Sequence, residues 1–288
     1  MMIHNVIDSM EQATRNRANL DLPRWVADRL GREAVRACEL GEFLSASGRL
    51  VNWRPQVIAA LAAKQSLPPY AALGDLPAAR QNQTHIRLMN ETTFAAAQLL
   101  QNEGHRPLAL NFASGRQAGG HFLRGGRAQE ETLCRSSALF PAMLGDEMFT
   151  AHTRTPLGEF SDWAIYTPSV PVFRADDNTP LEEPWLADIL SCAAPVAMQT
   201  GLDRARELLR GRIQRVLHIA ASLGYTDLIL GAWGCGAYGN DPVTTATDFR
   251  DALAGEFAGV FGQVAFAITD WSPNRKFLGP FAAVFGAR

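Results

Sequence analysis

Apolar residues recur along the chain with two different spacings, and the change from one to the other falls near residue 80. Over residues 22–50, and again over residues 55–65, they follow the three-to-four-residue spacing of amphipathic helices. The first twenty residues are polar, so we expect them to be frayed. Prolines and a glycine in residues 66–77 predict a connector. The sequence therefore predicts a small helical segment over residues 1–80.

After residue 80, short apolar runs alternate with helical stretches. The predicted strands cover residues 85–89, 108–113, 164–167, 170–173, 186–192, 228–232 and 263–269. The predicted helices cover residues 90–101 with Asn90 as the cap, a stretch from about Gln129, residues 201–223 and residues 242–256, which open on a proline. This alternation favours one α/β domain over residues 81–288, with a mostly parallel or mixed sheet between helical layers.

The composition narrows the class of protein. The 288 residues are 47% hydrophobic and 19% charged, which excludes wholesale disorder. A net charge of −2 excludes the strongly basic character of nucleic-acid coat proteins. The apolar runs are too short to span a membrane, and the polar amino terminus lacks the apolar core of a signal peptide. We therefore expect a cytoplasmic protein that does not engage membranes.

The cysteines and histidines give no sign of a disulfide framework or a metal centre. The four cysteines contain no CxxC pair, and the six histidines form no HxH or HExxH cluster. This spacing predicts free thiols in a reducing compartment. We expect no metal and no organic cofactor.

Two glycine-rich loops follow predicted strands, at the position where parallel sheets bind their ligands. The first follows residues 108–113 and contains Gly119, Gly120 and His121, then Gln129, Glu130 and Glu131. The second follows residues 228–232, contains Gly234, Cys235, Gly236, Ala237 and Tyr238, and opens a helix. Backbone N–H groups of such loops, and helix amino termini, bind anions. Neither loop has the spacing of a P-loop or a dinucleotide fingerprint. Two such loops in one domain favour a phosphate-bearing ligand over simple tight turns.

Several side chains near these loops admit both a structural and a functional interpretation. Glu130 and Glu131 suit the dipole of a first helical turn, but apolar walls and a neighbouring carboxylate can also raise a pKa until the group donates a proton. Asn111 either stabilises its turn or binds a ribose hydroxyl. Trp271 with Phe277 forms either an adenine-stacking face or part of the core. The arginines form either a positive rim for a polyanion or ordinary solvated charges: Arg116, Arg124, Arg127 and Arg135.

The motifs resemble the microbial-type poly(ADP-ribose) glycohydrolase family, a branch of the macrodomains. That family has a triple glycine followed, after a short loop, by Gln-Glu-Glu. The matching run here is Gly119-Gly120-His121, seven residues, then Gln129-Glu130-Glu131. Further matching segments keep the family's order: residues 90–93, 111–114, 133–137, 183–185, 231–237 and 272–274. The resemblance implies a macrodomain-like three-layer α/β/α fold with a mixed sheet, and the amino-terminal helices resemble the accessory region that this branch often carries.

The resemblance also implies an activity, which is hydrolysis of the ribose–ribose O-glycosidic bond of poly(ADP-ribose) with release of ADP-ribose. Glu131 is the implied acid and later base, and Glu130 would orient the distal ribose or the leaving hydroxyl. Tyr238 is the implied aromatic neighbour of the distal ribose, whereas the Cys235 thiol is expected to be packed and inert. The implied ligand-binding residues are Asn111, Gly119, Gly120, His121, Gln129, Gly234, Cys235, Gly236, Ala237 and Tyr238.

His121 departs from the family pattern, which has a third glycine there, and Ala118 stands where a proline often precedes the run. If the turn needs a positive φ at His121, the residue is strained and crowds the diphosphate, unless its imidazole bonds the ligand. Two alternatives therefore stay open. One is an enzyme that removes single ADP-ribose units from protein or nucleic acid, and the other is a reader that binds ADP-ribose without cleaving it. The intact Gln-Glu-Glu run favours an enzyme.

Overall fold

The computed structural model describes residues 2–79, 81 and 83–286. Its strands are β1 (Met2–Ile7), β2 (Glu42–Leu44), β3 (Leu50–Asn52), β4 (Gln65–Leu67), β5 (Thr84–Met89), β6 (Pro107–Phe112), β7 (Ala164–Arg174), β8 (Pro180–Cys192), β9 (Asp227–Leu230) and β10 (Gln263–Ala267). Its helices are α1 (Met10–Leu20), α2 (Arg24–Leu40), α3 (Arg54–Ala63), α4 (Thr93–Asn102), α5 (Gln129–Ser136), α6 (Leu139–Met143), α7 (Glu147–His152), α8 (Ala197–Thr200), α9 (Leu202–Ser222), α10 (Pro242–Ala254) and α11 (Leu278–Gly286), with a 3₁₀ turn at Phe122–Arg124.

Eight of the strands form one sheet, in the order β1-β5-β10-β9-β6-β8-β7-β4. The first six strands of that order pair in parallel, and β7 and β4 pair antiparallel at one side. The carboxyl ends of β5, β10, β9, β6 and β8 therefore meet at one edge of the sheet, where their loops gather. This edge is where parallel sheets bind ligands.

Helices cover both faces of the sheet. On one face, Phe266 of β10 packs between Phe249 of α10 and Phe281 of α11, with ring centroids 5.4 Å apart in each pair. On the other face, Phe94 of α4 meets Trp185 of β8 edge-on at 5.5 Å. Buried apolar side chains continue along α9 on the first face and α5 and α6 on the second. The predicted three-layer α/β/α fold with a mixed sheet is confirmed.

The expectation of a frayed amino terminus was wrong. β1 pairs in parallel with β5, and α1 follows with Ser9 as its cap. The buried Asn16 of α1 donates its amide to the carbonyl oxygen of Asn90, 2.8 Å away, in the loop after β5. Polar side chains in this segment therefore form hydrogen bonds with loops of the sheet. The expectation was wrong because it treated polar residues as exposed ones. The predicted domain boundary falls at residue 80, which lies outside the described residues.

Other elements differ in their limits from the sequence prediction. The stretch predicted as helical up to residue 50 contains the β2–β3 hairpin, and the predicted connector contributes β4, which pairs with β7. α4 begins later than predicted because Thr92, and not Asn90, caps it by accepting the Ala95 N–H at 3.0 Å. The two strands predicted over residues 164–173 are one strand, since the irregularity at Ser169 (φ +54°) is a bulge within β7.

Among the helices of the described residues, none combines the length and apolar character that crossing a bilayer needs.

Candidate active site

A cleft of about 720 Å³ opens at the carboxyl edge of the sheet. Loops after five parallel strands contribute to its walls: Thr92 after β5, Ser114 after β6, Ala194 after β8, Gly234 after β9 and Trp271 after β10. This volume lies in the range of small-molecule and cofactor sites. The location agrees with the prediction that the loops after β6 and β9 carry the chemistry.

The first glycine loop folds tightly over the two glutamates at the start of α5. Gly120 has φ +54°, and a Cβ there would lie 2.7 Å from Glu131 Oε1 and 3.0 Å from Glu130 Oε2. Both carboxylates thus touch the same point of the backbone. Only glycine fits, because a side chain would be strained at this φ and would also displace a carboxylate.

Glu130 is almost completely buried at the floor of the cleft. Its Oε2 accepts the Ser114 N–H at 2.8 Å, and its Oε1 has no partner among the described residues. Burial raises the pKa of Glu130 to about 8, with a smaller contribution from the negative charge of Glu131, while the hydrogen bond from Ser114 acts in the opposite direction. Glu130 is therefore largely protonated at neutral pH.

Glu131 is held by the glycine loop itself. Its Oε1 accepts the backbone N–H of His121 at 3.0 Å, and its Oε2 has no partner among the described residues. Its side chain is also in close contact with Gly126, where a Cβ would lie 2.8 Å from Glu131 Cγ. Each of the two glutamates therefore has one anchored oxygen and one buried oxygen without a hydrogen-bond partner in the described part of the chain.

Gln129 joins α5 to the end of β6. Its Oε1 accepts the Phe112 N–H at 2.9 Å, while its Nε2 donates to Leu110 O at 2.8 Å and to Thr93 Oγ1 at 3.0 Å. Both amide hydrogens are thus used within the protein. Gln129 lies in the cleft wall, but its contacts fix where α5 begins and so where the two glutamates stand.

Gln129→Leu tests this function of the amide. The variant keeps the side-chain size but leaves the Phe112 N–H and the Leu110 carbonyl without partners, at about 1–3 kcal/mol for each buried group. We expect a free energy of unfolding lower by about 2–4 kcal/mol, measured by denaturant titration. Gln98→Leu on the exposed face of α4 is the matched control. Equal losses in the two variants would contradict the structural role of Gln129.

The second glycine loop presents unpaired donors to the cleft. The backbone N–H groups of Gly234, Gly236, Ala237 and Tyr238 meet no acceptor among the described residues, and all four residues line the cleft. The phosphate site predicted at the amino terminus of α10 stays a prediction; Asp241 caps that helix by accepting the Thr244 N–H at 2.8 Å. The unpaired N–H groups of the loop therefore resemble an anion-binding backbone nest.

An aromatic wall stands between the two loops. Tyr238 and Phe160 both line the cleft, with ring centroids 6.4 Å apart. Phe160 has φ +54° and lies against Gly115, where a Cβ would fall 2.5 Å from its ring. His152 supports this arrangement from behind: Nδ1 lies 3.0 Å from Gly115 O, and Nε2 lies 2.8 Å from Ser161 Oγ. Burial lowers the pKa of His152 to about 4, so the imidazole is neutral at neutral pH.

The far end of the cleft combines aromatic and acidic side chains. Trp271 and Phe277 both line it, so Trp271 is not a core residue. Glu91 and Asp176 lie there as well, and Asp176 accepts a hydrogen bond from Thr92 Oγ1 at 2.6 Å. Burial raises the pKa of Asp176 above its ordinary value. Sequence reasoning missed Phe160 and Asp176, because both lie far along the chain from the glycine loops and outside any motif.

The structure brings most of the predicted site residues to the cleft wall: Gly120, His121, Gln129, Glu130, Glu131, Gly234, Gly236, Ala237 and Tyr238. Three others do not line it. Asn111 is fully buried and donates to Ser191 Oγ at 3.0 Å, and the ribose contact predicted for it stays a prediction. Gly119 is buried under the turn. The Cys235 thiol is packed as expected, and burial raises its pKa to about 12.

His121 is not strained. Its φ is −106°, so the positive φ considered for this position was wrong, and the left-handed conformations fall on Gly119 and Gly120. Its backbone binds Glu131 and its side chain is exposed at the cleft. The imidazole thus occupies no space that the turn itself requires.

The arginines considered as a rim do not all belong to it. Arg135 is buried, and it donates to Gly126 O at 2.5 Å and to Thr132 Oγ1 at 3.0 Å, so it supports the glycine loop from behind. Arg116 and Arg124 are not buried, and Arg127 lines the cleft. The described residues hold no group of three or more histidine, cysteine or acidic side chains arranged to bind a metal ion.

The raised pKa of Glu130 makes a pH-dependent contribution to stability. Between its ordinary pKa of 4.5 and about 8, the folded protein holds a proton that the unfolded chain has lost, so rising pH destabilises the fold across that window. Glu130→Gln removes this dependence. We expect the melting temperature of the variant to rise relative to the wild type between pH 5 and 8, measured by calorimetry without ligand. Parallel curves for the two proteins would contradict the burial argument.

The fold and the cleft together are those of a macrodomain-like protein. The family model described as microbial-type PARG, catalytic domain, where PARG is poly(ADP-ribose) glycohydrolase, matches residues 31–175. The chain belongs to this family, as the resemblance in its motifs implied. A comparison with curated protein sequences gave no significant match.

Solved structures agree with this assignment. The chain is similar to poly(ADP-ribose) glycohydrolase from Thermomonospora curvata, with 36% identity, a TM-score of 0.84, and coverage of 90% of this chain and 99% of that one. The same enzyme bound to the inhibitor ADP-HPD matches with 36% identity, a TM-score of 0.82 and coverage of 90% and 98%. The Deinococcus radiodurans enzyme in complex with ADP-ribose matches with 33% identity, a TM-score of 0.72 and coverage of 81% and 97%.

Proposed function

We propose that the protein is a glycosidase that hydrolyses the ribose–ribose O-glycosidic bond of poly(ADP-ribose) and releases ADP-ribose. The observation that carries the proposal is the pair Glu130 and Glu131 at the cleft floor, each with one oxygen fixed by a backbone N–H and one oxygen free among the described residues. A loop of unpaired N–H groups faces the same space. Relatives with this fold are glycohydrolases, and one of them is solved with ADP-ribose.

The ligand fits the cleft by chemistry. The N–H groups of residues 234 and 236–238 suit a diphosphate, because they are backbone donors without partners in the described part of the chain. Tyr238 and Phe160 suit the apolar face of the distal ribose, and in this orientation its reacting carbon would lie near the two glutamates. Trp271 and Phe277 suit the adenine ring at the other end.

The reaction needs an acid on the leaving oxygen and stabilisation of an oxocarbenium-like centre. Glu131 donates its proton to the leaving 2′-oxygen of the neighbouring ribose as the C1–O bond breaks. Water then attacks C1 and gives its proton to the Glu131 carboxylate, which restores the starting state. Glu130, protonated by burial, donates to or accepts from a ribose hydroxyl and so orients the sugar.

The two carboxylates lie side by side under Gly120. In ordinary glycosidases the two carboxylates instead flank the scissile bond from opposite sides. One residue therefore serves as acid and base in turn, while the other orients the sugar. The substrates we propose are poly(ADP-ribose) and, as the alternative, ADP-ribosylated protein or nucleic acid. The four free thiols suit a reducing, cytoplasmic setting.

Thermal stability with ADP-ribose tests the ligand assignment. A ligand at ~100 times its Kd stabilises the folded state by roughly 2.7 kcal/mol, so we expect a rise in Tm of several degrees. ADP and ribose 5-phosphate serve as part-ligand controls and are expected to give smaller shifts at equal concentration. No shift with saturating ADP-ribose would contradict the ligand assignment.

A further inference from the structure

An exposed tryptophan lies at the start of α2. Trp25 is 70% exposed, the most exposed of the six tryptophans, and it faces away from the buried side of α2, which consists of small and aliphatic residues such as Ala27 and Leu30. An aromatic ring of this size gains no burial there. Its exposure is therefore not explained by the packing of α2.

Two arginines, one at the start of α2 and one in the turn packed against it, have no carboxylate partner among the described residues. Arg24 precedes it in the chain and is exposed, and Arg124 lies in the 3₁₀ turn of the first glycine loop. By contrast, Arg29 and Arg32 of the same helix pair with Glu33 and Asp28. We call the surface formed by Arg24, Trp25 and Arg124 the Trp25 patch. It carries two positive charges and one exposed aromatic ring.

The patch is continuous with the catalytic loop. The carbonyl oxygen of Arg24 lies so near Gly125 that a Cβ there would fall 2.3 Å from it, which holds the start of α2 against the turn that contains Arg124. Two residues on, Arg127 donates to Asp21 Oδ1 at 2.6 Å and to Leu22 O at 2.9 Å, and Arg127 also lines the cleft. The patch therefore stands at the rim of the cleft, next to the loop that holds Glu131.

We propose that the Trp25 patch binds the part of poly(ADP-ribose) that lies outside the cleft, with Trp25 stacking on an adenine and Arg24 and Arg124 pairing with a diphosphate. This proposal rests on the proposed function. Each unit of the polymer carries one flat base and two phosphate charges, so one exposed ring and two cations without carboxylate partners match the chemistry of one unit. Proteins that bind single-stranded nucleic acids use the same combination of stacking and charge.

The patch confers a preference for polymer over single ADP-ribose units. A single unit fills the cleft and leaves the patch empty, whereas a polymer occupies both. Loss of the patch should therefore weaken polymer binding alone. If the patch instead bound a partner protein, its loss would leave the affinity for the polymer unchanged.

The test compares polymer and ADP-ribose on the full chain, in variants that remove the ring or the charges. In a Glu131→Gln background, Trp25→Ala is expected to raise the Kd for poly(ADP-ribose) at least about fivefold, the loss that removal of one stacked base brings, with the Kd for ADP-ribose unchanged. The paired change Arg24→Gln with Arg124→Gln should do the same and should flatten the salt dependence of polymer binding. Tyr70→Ala, an 83% exposed aromatic outside the cleft, is the control and should change neither value.

The same variants in the active background should raise KM for the polymer and leave kcat at saturation unchanged. Polymer affinities equal to the parent protein in both Trp25→Ala and the arginine pair would overturn the proposal, as would a polymer that binds no tighter than ADP-ribose. A failure of the proposed function can be distinguished from a failure of this proposal, because the parent enzyme would then bind the polymer without hydrolysing it.

Discussion

Replacing Glu131 by glutamine is expected to lower the turnover of poly(ADP-ribose) by at least ~10²-fold, the contribution typical of general acid–base catalysis, with the Kd for ADP-ribose changed by only a small factor. Glutamine has nearly the same shape, and its amide oxygen can still accept the His121 N–H that holds the side chain at 3.0 Å. What it lacks is a proton to give to the leaving oxygen. The measurements are initial rates of ADP-ribose release and isothermal titration with ADP-ribose.

Two companion variants separate the roles of the glutamates. Glu147→Gln, at an exposed first-turn glutamate of α7 outside the cleft, is the matched control and should be as active as the wild type. Glu130→Gln should weaken both ligand binding and turnover, because Glu130 is assigned to orientation. Turnover retained in Glu131→Gln but lost in Glu130→Gln would move the acid role to Glu130, whose pKa of about 8 also lets it hold a proton.

Gly120→Ala is expected to disable the site from the backbone. At φ +54° an alanine is strained by about 1–2 kcal/mol, and its Cβ would lie 2.7 Å from Glu131 Oε1 and 3.0 Å from Glu130 Oε2. Either the turn or both carboxylates must move. Since a displacement of about 1 Å can cost on the order of 100-fold in rate, we expect a loss of this size in kcat. The measurement is kcat on polymer together with the free energy of unfolding.

The control for Gly120→Ala is a variant that has a similar backbone strain but no steric clash with other residues. Gly104, in the loop between α4 and β6, has φ +90°, and the Cβ of an alanine there would meet nothing within 4 Å among the described residues. Gly104→Ala should therefore lose a similar amount of stability from strain and keep full activity. A Gly120→Ala enzyme with wild-type kcat would show that the contact between the glycine loop and the two glutamates has no part in catalysis.

The layered fold could be predicted because its strands and helices carry strong local patterns. The strand predicted at residues 108–113 and the helix predicted at residues 201–223 agree within one residue with β6 and α9. The β2–β3 hairpin and β4 could not be predicted, because three-residue strands are too short to show an alternating pattern. β1 could not be predicted for a different reason. Its pairing with β5 is a long-range contact, which the pattern of polar residues along the chain does not encode.

Within the site, motifs locate the loops but not the use of each side chain. Gln129, expected at the ligand, instead donates both amide hydrogens to Thr93 and Leu110, a partnership that only the folded arrangement of β6 and α4 creates. The sequence also predicts an anion site at the amino terminus of α10, but it does not show that the Asp241 side chain accepts one of the N–H groups there. Phe160 lies in the segment before β7, and no local sequence pattern indicates that its side chain lines the cleft.

The most direct test of glycohydrolase activity is incubation of the full chain with poly(ADP-ribose), followed by chromatographic detection of free ADP-ribose. Mono-ADP-ribosylated protein is the parallel substrate, and the Glu131→Gln variant is the blank. We expect ADP-ribose to accumulate from the polymer with the wild type and to stay at background with the variant. Polymer that remains intact while ADP-ribose binds the cleft would contradict the hydrolase assignment, and release from the mono-modified protein alone would contradict poly(ADP-ribose) as the substrate.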